Sequence, residues 1–230
     1  VVLWTRLAHT GLFGGSNLPD APITVRWEIA HDEAFTRIAQ KGQAQALPEL
    51  AHSVHVEAAG LDSGRSYFYR FMVGGDGNDW VSSTGQTRTL PAPDAKPASL
   101  RLAYASCQRW EHGYFSAWRH LVADRPDAVV FLGDYIYEYP GAVNAVRPGT
   151  GSWVLTLADY RQRYAQVRTD ADLQALHAAV PMIAVWDDHE IANDTWMNGA
   201  ENHQAAEGSF AARKAVKAKL EELGLVRGWK

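Results

Sequence analysis

Three apolar runs in the second half of the chain each end in side chains that carry chemistry, and this pattern restricts the fold more than any other feature. Leu100 to Cys107 reads as one strand, and it ends on the thiol of Cys107, the only cysteine. Ala128-Val129-Val130-Phe131-Leu132-Gly133 delivers Asp134 and then Tyr137, and Pro181-Met182-Ile183-Ala184-Val185-Trp186 delivers Asp187, Asp188 and His189. Helical periodicity fills the intervals. Phe115, Trp118, Leu121 and Val122 share one face, Leu157, Tyr160, Tyr164 and Val167 another, and a short helix is predicted over 171–179. Strand, helix, strand, helices, strand reads as a parallel sheet. Such a sheet gathers its strand-end residues along one edge, where open α/β sheets place ligands.

The first 90 residues have a different grammar. Residues 23–29 and 53–58 alternate with period two, and residues 66–71 form an aromatic alternating strand after the turn at Ser63-Gly64. Leu61 and Tyr67 resemble the tyrosine corner of a fibronectin-III-like sandwich. Residues 74–79 supply hairpin turn chemistry and lack the third glycine and the helix of a dinucleotide-binding loop. The expected organisation is therefore α+β with two domains: a β-sandwich over 1–90, a proline-stiffened linker over 91–98 and an α/β domain over 99–230. A last helix is predicted over 209–223, with Gly224 as its stop.

Composition excludes several classes. The 230 residues are 47% hydrophobic, enough for a substantial core, and carry a net charge of −4 with no basic stripe that would signal nucleic acid. A single cysteine rules out an intrachain disulfide framework. No apolar run approaches the roughly 20 residues of a membrane span, and no segment reads as a signal peptide. Val1-Val2-Leu3-Trp4 already looks like a strand interior and Gly228-Trp229-Lys230 closes no element, so a segment of a longer protein, lacking both ends, is expected.

The strand-end residues suit a metal. Cys107 alone reads as a small core hydrophobe, but Gln108-Arg109-Trp110 follows it at once and puts the thiol at an edge, where a neighbouring cation would favour thiolate. Asp134 and Tyr137, three apart in a loop, can reach one ion, and a phenolate favours a trivalent metal, Fe(3+) in particular. Asp187-Asp188-His189-Glu190 sets three acids around a histidine directly after an apolar run, an arrangement that repels itself without a cation, whereas a solvated acidic loop is the alternative. His189-Glu190-Ile191-Ala192-Asn193 has no second histidine and so is not a zincin helix. Arg109 is a candidate for steadying an anion, with an ordinary surface arginine as the competing reading.

Together Val2-Leu3-Trp4-Thr5-Arg6-Leu7, Ser106-Cys107-Gln108, Gly133-Asp134-Tyr135-Ile136-Tyr137-Glu138, Trp186-Asp187-Asp188-His189-Glu190 and Gly199-Ala200-Glu201-Asn202-His203 resemble the motifs of the alkaline phosphatase D (PhoD-like) metallophosphatases, a branch of the calcineurin-like superfamily. The resemblance implies a β-sandwich ahead of a four-layer αββα phosphoesterase domain, of which this chain holds part. It implies Fe(3+) and Ca(2+), export to the periplasm or beyond, usually by the twin-arginine route, and phosphoester hydrolysis by a metal-activated water. Cys107 and Tyr137 would bind iron, Asp134 would bridge the metals, Asp188 would stand at the superfamily's metal-binding Asn, and His189 would face the phosphate or leaving group. Asp187 and Asn193 would support them from behind. The family's remaining Asp and His ligands lie beyond Lys230, which leaves a catalytically incomplete binding or architectural module as the rival reading. The substrate would be a phosphate ester: a small molecule, a phosphodiester polymer or a phospholipid.

Overall fold

The computed structural model describes residues 1–8, 18–75, 79–201, 203, 204, 206 and 208–215. The first half is all β. Strand β1 (Val2–Arg6) pairs antiparallel with β4 (Ser53–Glu57), and a second sheet runs in the order β3 (Ile38–Ala46), β2 (Ile23–Ala30), β5 (Ser66–Val73) and β6 (Trp80–Val81), with β7 (Gly85–Arg88) also paired to β5. Leu3 of β1 and Val54 and Val56 of β4 meet Val25, Ile29, Ala46, Tyr67 and Phe71 of the larger sheet in one apolar core. Alternation drives this packing, because each strand turns every second side chain to the same face. The Tyr67 hydroxyl accepts the Asp62 N–H at 3.0 Å, the bond that a tyrosine corner makes. Strand β3 escapes sequence reading because its inward positions are small. Gly42 faces Trp27 across the ladder, and a Cβ there would stand 2.6 Å from the indole ring.

The second half holds the expected parallel sheet, in the order β10 (Met182–Ala184), β9 (Ala128–Phe131), β8 (Leu102–Ala105). Ala103, Val129 and Met182 lie in register on one face, as do Ala105, Phe131 and Ala184. Helices α1 (Ala117–Asp124), α2 (Leu157–Val167) and α3 (Ala171–Ala179) cover that face through Trp118, Tyr160, Tyr164, Leu173 and Leu176. The opposite face exposes Leu102, Tyr104 and Ile183. The predicted bounds of α3 hold, and its N-cap Asp170 accepts the N–H groups of Asp172 and Leu173. Thr156 and Asp159 form a capping box at the start of α2. Of the helix predicted over 209–223, residues 210–215 are helical and the rest lies outside the described residues. The same is true of the centre of the predicted 74–79 turn, although β5 and β6 flank it as antiparallel partners. Among the described residues no helix is long and apolar enough to cross a membrane.

Candidate metal centre

The strands stop short of the apolar runs that announced them, and the stops aim the chemistry. Cys107, two residues past β8, has φ 60°, and Asp134, three past β9, has φ 55°. Both lie in the left-handed region that non-glycine residues avoid, a conformation that clusters at functional sites. Gly133, at φ 106°, is required between them: a Cβ there would sit 2.5 Å from Asp187 Cβ and Asp187 N. Its absence lets the loop after β9 lie directly on the loop after β10.

Asp134, Asp188 and His189 each bring a ligand atom within 4.8 Å of the others. Cys107 Sγ lies 3.4 Å and the Tyr137 hydroxyl 3.2 Å from Asp134 Oδ2, while Asp134 Oδ1 is buried with no hydrogen-bond partner. Burial pushes the Asp134 carboxyl above its ordinary range, and Asp188 adds to this, against the charge of His189 and the Cys107 and Tyr137 hydrogen bonds. Burial and the adjacent Asp134 and Cys107 raise the Tyr137 phenol well above its ordinary value. The protein alone therefore keeps this phenol protonated. Burial opposes charging of His189, but its bond to Glu138 and the charges of Glu138, Asp134 and Asp188 outweigh burial and raise its pKa. Carboxylates, a thiol, a phenol and an imidazole around an orphaned carboxylate oxygen form a donor set that a cation would satisfy. The residues present fit a metal.

Two glutamates hold these side chains, and each works across the site. Glu190, from the loop after β10, accepts the backbone N–H groups of Asp134 at 2.9 Å, Tyr135 at 2.6 Å and Ile136 at 3.4 Å, as well as that of Asp187 at 2.7 Å. Glu138, from the loop after β9, holds His189 Nδ1 at 2.8 Å and accepts the N–H of Asn193 at 2.7 Å. With Nδ1 occupied, Nε2 is the nitrogen left for a ligand, a division of roles common to carboxylate-supported metal histidines. Arg163, almost wholly buried on α2, donates to the carbonyls of Tyr137, Tyr139 and Ser152 and so fixes the backbone that carries Tyr137.

Other expected residues take supporting places. Asp187 caps the turn that carries Asp188 and His189, accepting the Asp188 N–H at 3.0 Å, with Glu190 completing a capping box. Asn193 donates from its side chain to Glu201 and Asp194. Arg109 pairs with buried Glu111 at 3.4 Å and sits 4.9 Å from the Tyr139 ring, in an open cleft of about 350 Å³ that also touches Cys107 and Tyr137. Sequence reading assigned no role to Glu138, Glu190 or Arg163, though both glutamates stand inside the quoted motifs.

Comparison with known proteins matches this architecture over both halves. The family model described as PhoD-like phosphatase matches residues 102–221, and the model described as PhoD-like phosphatase, N-terminal domain, matches residues 1–91. The chain belongs to the PhoD-like phosphatase family. It is 46% identical to alkaline phosphatase D of Bacillus subtilis (strain 168) over 221 residues, which are 94% of this chain and 37% of that protein. A solved structure of PhoD superposes with a TM-score of 0.86 at 42% identity, covering 96% of this chain and 42% of that one. A purple acid phosphatase from yellow lupin seeds, PPD1, superposes with a TM-score of 0.51 at 14% identity over 87% of this chain and 36% of its own, a likeness of fold alone. The chain thus spans well under half the length of the relatives it matches.

Proposed function

We propose that the protein is a metal-dependent phosphoester hydrolase of the alkaline phosphatase D type. The observation that carries this reading is the grouping of Asp134, Asp188 and His189 within 4.8 Å, with Cys107 and Tyr137 on one oxygen of Asp134, at the ends of parallel strands. Cys107, Tyr137 and Asp134 would hold Fe(3+), and Asp134 and Asp188 would share Ca(2+). Bound there, the cations would supply Lewis acidity and neutralise charge on a phosphoryl group.

The chain's own residues do the rest. Glu138, bonded at Nδ1, favours the doubly protonated imidazolium of His189, whose Nε2–H would face the phosphoryl group and hand its proton to a leaving oxygen. Arg109, with its Nε on Glu111, lines the cleft and would steady the anion there. Tyr139 and Tyr137 flank the His189 ring, with centroids at 5.4 and 4.2 Å, and limit water at its faces. The family resemblance further supports a fibronectin-III-like sandwich over 1–90, a linker over 91–98 and part of an αββα domain over 99–230. The exposed apolar face of Leu102, Tyr104 and Ile183 suits a sheet that packs on another sheet. Export to the periplasm or beyond follows from the same resemblance.

The test is hydrolysis of p-nitrophenyl phosphate and bis-p-nitrophenyl phosphate by the full-length protein loaded with iron and calcium. Turnover that is lost on chelation and lost in Asp134→Asn supports the reading. Absence of hydrolysis with metals bound leaves the binding module as the description. A phenolate-to-iron absorption band that Tyr137→Phe bleaches would identify the metal, whereas stoichiometric zinc and no colour would reject iron.

A further inference from the structure

The opening motif Leu3-Trp4-Thr5-Arg6-Leu7 lies outside the metal centre, and the structure gives it a different neighbour. Trp4 and Arg6 alternate along β1 and share a face, from which Arg6 reaches the turn at residues 48–52 and Trp4 reaches the C-terminal cap of α2. Arg6 Nε donates to the carbonyl of Ala51 at 3.1 Å, and Arg161 Nη2 donates to the carbonyl of Glu49, two residues away, at 2.5 Å. Arg168, the C-cap of α2 seven residues after Arg161, lays its guanidinium 4.2 Å from the centre of a Trp4 ring. Three guanidiniums thus line one seam between the β half and the α/β half.

The seam is short of negative charge. None of the three arginines forms an ion pair with a carboxylate among the described residues, whereas nine arginine–carboxylate pairs occur elsewhere among them. Burial, then the charges of Arg168 and Arg161, hold the Arg6 pKa below its ordinary value, and burial does the same to Arg161. The unpaired buried groups here include the Nε–H of Arg161 and the Nε1–H of Trp4. Both are donors with no accepting capacity. A buried donor without a partner costs about 1–3 kcal/mol, so the seam is built for something that accepts hydrogen bonds and is negative. Guanidiniums arriving from a strand and a helix call for more oxygens than the two of a carboxylate.

We propose that Arg6, Arg161 and Arg168 form a binding site for a tetrahedral oxyanion of the size of phosphate or sulfate, separate from the metal centre. The ion bridges β1 and α2 and locks the two halves together. The proposal stands independently of the hydrolase reading.

Inorganic sulfate is the probe, compared with chloride at equal ionic strength, and the thermal midpoint of the full-length metal-loaded protein is the readout. Sulfate should raise the midpoint with the logarithm of its concentration once above Kd, on the order of 5 °C at a hundredfold excess. Arg161→Gln keeps a donor for the Glu49 carbonyl but removes the charge, and should abolish this rise. Arg6→Gln should do the same from the other side of the seam and serves if Arg161→Gln fails to fold. Cys107→Ser, which alters the metal centre, should keep the full rise. A rise of equal size in wild type and both glutamine variants would overturn the proposal, as would its loss in Cys107→Ser or the absence in wild type of any rise beyond that in chloride.

Discussion

The two halves of the chain bury different things. Between its two sheets the β half encloses Leu3, Val25, Ile29, Ala46, Val54, Val56, Tyr67 and Phe71, and among the described residues its buried polar side chains are the uncharged Ser53 and Thr87 and the imidazole of His52. The α/β half buries Glu111, Asp134, Glu138, Arg147, Arg163, Asp170, His189, Glu190 and Arg213 beside its apolar cluster. Apolar burial is non-directional and tolerates small adjustments, whereas a buried charge is stable only with specific partners at specific distances. The first half is therefore a scaffold whose strength is spread over many contacts. The second is a positioning device whose strength is concentrated in a few.

The largest effect should come from the buried pair of Arg147 and Asp170, 2.6 Å apart, with Arg147 also packed 3.6 Å from a Trp110 ring centre. Asp170→Ala strands a buried guanidinium and removes the cap of α3, and should cost about 3–5 kcal/mol. Urea unfolding checks it, and a loss below 1 kcal/mol would remove the contrast between the halves. Next is Glu190→Gln, which turns one accepting oxygen into a donor facing backbone N–H groups. Metal affinity should fall roughly 10–100-fold with secondary structure intact, measured as metal content after dialysis against a graded chelator. Unchanged metal retention would show that the glutamate only stabilises the fold.

A third test uses pH. His177 is partly buried with Nε2 2.8 Å from the Tyr135 hydroxyl, and desolvation of its ring, then Arg168, lowers its pKa from 6.5 to about 3. Between these values the unfolded chain binds a proton that the folded chain does not, so stability falls as the pH drops. The loss should be about 1.4 kcal/mol per pH unit below 6.5, ending near pH 3. His177→Phe should flatten that part of the pH profile; an unaltered slope would assign the acid sensitivity elsewhere. The smallest effect belongs to the scaffold. Ile29→Val in the β core should cost about 0.5–1.5 kcal/mol and leave metal content unchanged.

How much of this was legible in the sequence follows the same division. Alternation announced β2, β4 and β5, and apolar runs announced β8, β9 and β10, because periodicity is a local signal. The predicted strands overran by two residues at Ser106-Cys107 and at Leu132-Gly133, where left-handed or glycine backbone breaks the ladder. Strand β3 was missed because Ala44, Ala46 and Gly42 carry too little hydrophobic signal. Asp134, Tyr137, Asp188 and His189 could be singled out because each follows an apolar run closely. Glu138, Glu190 and Arg163 could not be given roles, because their partners lie tens of residues away and no spacing rule connects them.

The crossed glutamates bear on how such a site can be copied. Each loop carries the support of the other: Glu138 leaves β9 to hold His189, and Glu190 leaves β10 to hold Asp134. A designer who grafted the Gly133–Glu138 segment onto another sheet would take away the brace of the histidine and leave behind the brace of the aspartate. The transplantable unit is therefore both loops on neighbouring parallel strands, with a glycine at position 133 to let them touch.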